Sequence, residues 1–384
     1  MTTPTILGKA TIRFGTRGSA LALAQASRIA DLWTSRFPDQ PVDIIPVSTQ
    51  GDIDKVSPLT EIGGRGVFTN AIEQQIVYGG VDAAIHSAKD MPSRLPDDLP
   101  IVAFPEREDP RDVLVSRHGL TLAELPPNPV IGTSSRRREA QVRLLRPDAR
   151  IVSLRGNIDT RLGKAAQDSY DGVILAAAGI QRMGWTHRIT EYLEIERFVP
   201  SPGQGALAIQ TAVGGPFVPL LRQLDDPAVS GPLVIERAFL AELGAGCTMP
   251  VGAFVSQNED GHCLVAFLAD EVGERWAKTE TRLARGAERE HAVEVARSLN
   301  AEVKTSAQTQ WTGWRPQQRD LCGARVVVMR PRRQAGQLVA ELARRGAEPL
   351  ALPTIRIEPA DDPTGLDAAL QELAAGKFSW LVLT

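Results

Sequence analysis

Cysteine is scarce in this sequence: Cys247, Cys263 and Cys322 are the only three in 384 residues, and no two stand in CxxC spacing. That excludes a disulfide framework and argues against a zinc site, so a cysteine with a role has it individually. Aromatic residues amount to 5%, too few for the stacking platforms that hold single-stranded nucleic acid. A net charge of −3 with a pI near 6.0 leaves no overall basic field for a nucleic-acid partner. Long apolar runs are missing too: the longest, such as residues 174–180, fall far short of the ~20 residues that span a bilayer. Residues 1–14 carry no basic flank followed by an apolar stretch and a small-residue cleavage site. These absences lead us to expect a soluble, cytoplasmic protein with neither nucleic acid nor membrane as partner.

Core material is plentiful. Apolar residues make up 43% and charged residues 23%, and the length suits three or four compact units of roughly 100 residues each. Residues 11–15, 20–37 and 42–48 read as strand, helix and strand. A helix at 68–78, a buried strand at 81–86 and a segment at 99–104 complete a first α/β unit. Residues 107–115 lead into a second set, with strands at 130–132, 151–154 and 172–176 and helices at 138–146 and 160–168, running to about residue 199. SPGQGA (201–206) is a Pro/Gly-rich crossing by which the chain returns to a short strand at 207–211. A helix at 228–243, two or three strands within 252–283 and a helix at 288–300 form a third, smaller unit ahead of the polar stretch 305–320. From residue 325 a strand, helix and strand (325–329, 333–345, 348–352) open another α/β unit. Its closing strand, 380–384, has nothing behind it to cover its faces, so that unit is expected to be incomplete.

Four segments share one design, in which Gly, Ser or Thr follows a strand, an arginine sits beside it, and a helix or turn begins. They are GTRGS (15–19), GGRG (63–66), GTSSRRR (132–138) and LRGNIDTR (154–161). Small residues let backbone N–H groups approach a ligand, a helix start contributes partial positive charge, and guanidinium forks grip carboxylates or phosphates bidentately. One such segment alone reads more readily as an N-cap beside a solvated arginine; four in one chain point to a small polyanion. AAIHSAKDMP (83–92) runs from a buried strand into a polar turn, setting His86, Ser87, Lys89 and Asp90 at strand-end level, where α/β sites form. Asp90 is there either a carboxylate that steadies a developing cation or passes a proton, or a turn former ahead of Pro92. GAGCTMPVG (244–252) puts Cys247 in a glycine-rich turn after a helix, where a thiolate can attack an electrophile. A structural thiol is the alternative, a part that Cys263, in an alternating strand, suits better.

In this order, IRFGTRGSALALAQ, GGRGVFT, HSAKDMP, EREDPRD, GTSSRRREAQ, SLRGNIDTRL, LAAAGIQRMG, PGQGALAI and GAGCTMPVG closely resemble the hydroxymethylbilane synthases, or porphobilinogen deaminases, over about residues 11–314. The resemblance implies a transferase of tetrapyrrole and heme biosynthesis. Such an enzyme condenses four porphobilinogen molecules head to tail, releasing ammonia at each step, and finally hydrolyses off hydroxymethylbilane. Porphobilinogen carries acetate and propionate groups, so the growing oligomer accumulates carboxylates, which accounts for many arginines in one cleft of a slightly acidic protein. By position, Cys247 resembles the cysteine that holds the family's dipyrromethane cofactor, its primer, through a thioether. Asp90 matches the family's catalytic aspartate, which meets pyrrole nitrogens, stabilises the cationic intermediate and assists deamination. Arg137, Arg138 and Arg155, with Ser19, Lys89, Thr133, Ser134 and Ser135, match cofactor-binding positions. Arg17, Arg161, Arg182 and Gln204 match substrate-binding ones, and no metal is implied. There are departures: Glu61 stands where many relatives have lysine, Asn70 and Ala71 replace a common Lys-Glu pair, and Arg136 takes a place often held by leucine. None removes a central catalytic group, although Glu61 and Asn70 bear on the loop before Phe68, which in the family lies over the active site.

The implied fold is α/β with three domains, the first two like the lobes of periplasmic binding proteins, with the chain crossing between them twice. The third is a small sheet with helices, carrying the cofactor cysteine on a loop. Domain 1 is expected at 11–105 plus 203–224, domain 2 at 106–199, domain 3 at 228–304 and a linker at 305–322, in a monomer. Residues 323–384, through RVVVMRPRRQAGQLVAELARRGAEPLALPTIRIEP and WLVLT, resemble the start of uroporphyrinogen-III synthase. They are expected to form an incomplete fourth α/β domain, a fusion without cyclising activity. The rival from another class is an anion- or solute-binding module of the two-lobed type, which needs neither Asp90 nor Cys247.

Overall fold

The computed structural model describes residues 10–48, 69–244, 249–259, 261–271 and 273–305, and beyond them residues 325–328, 338–339, 342, 348–351 and 380–382. Two compact units divide between Gly313 and Trp314.

In the first lobe, β1 (Ile12–Arg17), α1 (Ala20–Arg36), β2 (Val42–Val47), α2 (Asn70–Val77), β3 (Ala83–Ser87) and β4 (Ile101–Ala103) follow one another. Ile12 and Phe14 are fully buried beneath α1, where Ala22, Ala26, Ile29 and Trp33 form the apolar stripe that helical spacing demands. Trp33 meets Phe14 edge to face at 5.8 Å and donates its indole N–H to the Gln40 carbonyl at 2.9 Å. Burial of each such large side chain contributes about 1.5–3 kcal/mol. The sheet runs β2-β1-β3-β10-β4, with β10 (Leu207–Gln210) antiparallel to both neighbours.

The second lobe comprises β5 (Asp112–Ser116), β6 (Val130–Gly132), α3 (Arg136–Leu145), β7 (Arg150–Val152), α4 (Ile158–Ala165), β8 (Gly172–Ala176), α5 (Ala177–Arg182) and β9 (Glu191–Leu193). Its sheet, β7-β6-β8-β5-β9, repeats the pattern of the first. Three parallel strands are followed by an antiparallel one, β5, that belongs to a chain crossing. Two crossings, residues 104–112 and 199–207, lie antiparallel to each other through a bridge between Arg107 and Ala206 and a hydrogen bond from Glu108 N to Gly205 O of 3.1 Å. Two like lobes joined by a double crossing are the architecture expected of the first two domains. The sequence reading names none of β5, β9 and α5 as an element. At five, three and six residues they are too short for a period to declare itself. Helix α3 also begins two residues before the expected start, because Ser135 caps it.

Helix α6 (Pro227–Glu242) starts from the N-cap Asp226 with proline at its first position. It packs with α7 (Glu288–Thr305) on an antiparallel meander of β11 (Val251–Asn258), β12 (Gly261–Ala269) and β13 (Trp276–Arg282). Phe239, Val255, Leu264, Ala266 and Leu299 lie in the core between them. In the second unit, β14 (Arg325–Val328) runs parallel between β15 (Glu348–Ala351) and β16 (Trp380–Val382). Most of the helix expected at 333–345 lies outside the described residues. Among the described residues no helix is long and apolar enough to cross a membrane.

Candidate functional site

The charged side chains converge where the crossings enter the lobes. Asp112, the first residue of β5, is 0% exposed. It accepts from Arg137 Nη1 at 2.7 Å, Arg138 Nε at 2.9 Å and Gln204 Nε2 at 3.1 Å. Both arginines occupy the first turn of α3, where the Ser135 hydroxyl accepts from Arg138 N at 3.4 Å. Further donors go to backbone carbonyls, Arg137 Nη1 to Val199 at 2.6 Å and Arg138 Nη1 to Ile174 at 3.0 Å. Burial pushes the Asp112 carboxyl up, but the two guanidiniums and the Lys89 ammonium outweigh it and hold the group at about 2. One buried anion thus faces three cations. Lys89 reaches Gln204 Oε1 at 3.3 Å. Burial first, then Arg138, brings its ammonium down to about 8 against the opposing pull of Asp90 and Asp112.

Asp90 closes the single 3-10 turn Ala88–Asp90 that follows β3, and its side chain is exposed. With Arg17, Ser19, Gln25, Thr69 and His86 it lines a cleft at the edge of the first lobe. Arg17 ends β1, and Ser19 caps α1 by accepting from Ala22 N at 3.3 Å. His86 is buried and pushed down to about 4, so its ring is neutral near pH 7. Arg161, in α4, donates from Nε to Gly156 O at 2.7 Å. Burial, with Arg138 and Arg155 adding to it and Asp90 opposing, lowers Arg161 to about 10. The loop bearing Arg155 requires glycine at 156, where φ is +112° and a Cβ would fall 2.7 Å from the Thr160 side chain. The Ser134 hydroxyl fastens this loop by donating to Leu154 O at 2.7 Å and accepting from Leu154 N at 2.9 Å. Thr133 Oγ1 accepts from Ser135 N at 3.2 Å.

The structure therefore brings both Lys89 and Arg161 within electrostatic reach of Asp90 and Arg138, and Arg161 within reach of Arg155, with Gln204 bridging Lys89 and Asp112. Arg182, at the end of α5, instead grips a crossing: its side chain is 2% exposed and its Nη2 donates to Gly205 O at 2.6 Å, with Glu106 at 3.4 Å. Cys247, Glu61 and the GGRG segment lie outside the described residues. Asn70 is exposed at the start of α2, and Arg136 donates from Nη1 to Glu271 O at 2.7 Å. Among the described residues no group of histidine, cysteine and acidic side chains is arranged to hold a metal ion. Sequence reasoning missed two acids. Asp112 is one; its signal was a carboxylate at the head of the apolar run DVLV. Glu236 is the other, fully buried in α6, accepting from Arg107 Nη1 at 2.8 Å, Gly203 N at 2.8 Å and Val255 N at 2.9 Å. Its signal was an acid on the apolar face of a helix.

Comparison with known proteins agrees with this geometry. The family model for porphobilinogen deaminase, dipyromethane cofactor binding domain, matches residues 12–216, and that for the porphobilinogen deaminase C-terminal domain matches 233–305. The model for uroporphyrinogen-III synthase HemD matches 336–384. The porphobilinogen deaminase of Syntrophus aciditrophicus is 46% identical over 250 residues, covering 65% of this chain and 82% of that protein. The porphobilinogen deaminase of Roseiflexus castenholzii gives 46% over 250 residues with the same coverage. Among solved structures, an arginine-specific periplasmic binding protein of Salmonella typhimurium aligns with a TM-score of 0.35 at 15% identity, over 61% of this chain and 98% of its own. That likeness is too slight to support an argument, and the solute-binding alternative has nothing beyond the lobed architecture behind it. With the family's cofactor-binding domain matched across both lobes and its C-terminal domain matched across α6 to α7, the chain belongs to the porphobilinogen deaminase family, transferases of tetrapyrrole biosynthesis.

Proposed function

We propose that this chain is a hydroxymethylbilane synthase that joins four porphobilinogen molecules head to tail on a dipyrromethane primer held through Cys247, then releases hydroxymethylbilane by hydrolysis. The observation that carries this reading is the surplus of cations, in which Arg137, Arg138 and Lys89 share the Asp112 carboxylate and Arg161 lies within reach of Arg138, Arg155 and Asp90. Burial and mutual repulsion depress Lys89 and Arg161, and a guest rich in carboxylates relieves both effects. Dipyrromethane, with its acetate and propionate groups, fits that donor set and supplies, when bound, the pyrrole end to which new units are joined. Lys89, Arg155, Arg161 and Arg17, with Ser19, pair with ligand carboxylates. Arg137 and Arg138, their hydrogen bonds largely given to Asp112 and the backbone, contribute charge and fix the start of α3. Thr133, Ser134 and Ser135 shape the adjoining turn, and Gln204 steadies Lys89. Arg182, which grips the crossing through Gly205 O and Glu106, is a further contact for a substrate carboxylate. Asp90 accepts pyrrole N–H groups, stabilises the positive charge that develops on the aminomethyl carbon of the substrate as ammonia leaves, and can hold the pyrrole proton. Residues 11–105 with 203–224, 106–199 and 228–304 act as three domains of a cytoplasmic monomer.

The deciding experiment is intact mass followed by peptide mapping of freshly purified protein. We expect the peptide holding Cys247 to carry two extra pyrrole units and Cys247→Ser protein to lack them. A Cys247 that is bare, and stays bare after incubation with porphobilinogen or preformed hydroxymethylbilane, overturns the proposal.

A further inference from the structure

Arg237 is a cation that the site described above does not use. It lies in α6, half-buried, and its Nη2 donates to the Pro92 carbonyl at 2.7 Å. Burial lowers its pKa with no carboxylate opposing, and among the described residues no acid pairs with it. Its neighbour Glu236 is committed elsewhere, to Arg107, Gly203 and Val255. A guanidinium set against a backbone carbonyl without a counter-ion is a costly way to fill space, since methionine or leucine fills it without desolvating a charge. The placement gives the reason. Leu233 and Arg237 are four residues apart and so share one face of α6. Leu233 shares a buried apolar cluster with Met91 and Ala88, while Arg237 holds the Pro92 carbonyl. That face therefore grips the 88–92 turn on both sides of Asp90, with Met91 2% exposed and Met91 N donating to Ala88 O at 3.3 Å.

We infer that Arg237 is a positioning residue for Asp90: it ties the backbone of the Asp90 turn to α6, so that the carboxylate keeps one placement in the cleft. The inference rests on the proposed role of Asp90. A shift of about 1 Å at a reacting group costs on the order of a hundredfold in rate, and groups that hold catalytic side chains in place act by preventing it.

The test uses the full chain carrying Arg237→Met or Arg237→Lys, with primer occupancy read by intact mass and kcat and KM measured separately for porphobilinogen. We expect Arg237→Met to load its primer, to keep KM within about threefold, and to lose about tenfold or more in kcat. Arg237→Lys, which keeps a donor for Pro92 O, should recover most of that loss. Unchanged kcat in loaded Arg237→Met overturns the inference. A raised KM at full kcat does so too, because it makes Arg237 a carboxylate contact, and so does a primer that preformed hydroxymethylbilane cannot restore. If Arg237→Met does not fold, Arg237→Gln is judged by the same criteria. Asp90→Asn, made alongside, separates the two levels. Full turnover there removes the role of Asp90 itself, whereas lost turnover there with full turnover in Arg237→Met removes only the role of Arg237.

Discussion

Replacing Asp112 by asparagine withdraws the one buried anion from a site where Arg137 and Arg138 are only 5% and 6% exposed. In the wild type the carboxyl stands at about 2 against an ordinary 3.8. At about 1.4 kcal/mol for each pH unit, that gap is worth roughly 2 kcal/mol of folding stability. Because the folded-state value lies below the unfolded one, this contribution is complete above about pH 4 and is lost as the pH falls toward 2. The substitution should cost more than this, since it strands two buried guanidiniums and leaves Lys89 with Asp90 alone, and breaking a buried pair in this way costs about 3–5 kcal/mol. Urea unfolding at pH 7, followed through Trp33, Trp185 and Trp276, is the assay. We expect the transition of Asp112→Asn protein to move to lower urea by the equivalent of about 3–5 kcal/mol, and its deficit to narrow below pH 4. Turnover should fall with it, because the start of α3 loses its anchor. A deficit under about 1 kcal/mol at pH 7, or one that stays constant from pH 7 to pH 3, would refute the claim that Asp112 carries the charge balance of the site.

The depressed Lys89 ammonium predicts a pH dependence. In the free protein it loses its proton above about 8, below the ordinary 10.5, and with it part of the attraction for ligand carboxylates. We expect kcat/KM, which reports on free enzyme, to decline above about pH 8, and Lys89→Arg to carry that decline to higher pH; a decline that stays in place in the variant rules Lys89 out as its source. At the crossing, Gly205 has φ +89° and a Cβ there would lie 2.3 Å from the Glu108 carbonyl oxygen. Gly205→Ala is therefore expected to cost about 2 kcal/mol or more, read by thermal unfolding, and an unchanged melting temperature would show that the crossings part easily. Asp90→Ala, at an exposed position, should alter stability by no more than about 0.5 kcal/mol while abolishing most turnover, a combination that chemical denaturation and a porphobilinogen assay read side by side.

Much of this protein was settled by sequence alone. Residues 20–36 carry apolar side chains at helical spacing and fold as α1, and the buried run ending in His86 folds as β3, because local periodicity states which face of an element meets a core. The chemistry-bearing segments were also legible, since glycine, serine and arginine at strand ends specify backbone approach and anion pairing whatever the surrounding fold. What sequence could not supply was partnership across distance. Strands β5 and β10 insert antiparallel into their sheets because each belongs to a chain crossing, and no local pattern records the direction from which a strand arrives. Arg137 and Arg138 look in sequence like donors offered to a ligand, yet they close on Asp112, and Arg182 closes on Gly205 and Glu106. Such contacts join residues far apart in the chain, 92 positions from Asp112 to Gln204 and 129 from Arg107 to Glu236. A buried charge must find its partner in space, so only the tertiary structure determined which cations balance the protein's own buried acids.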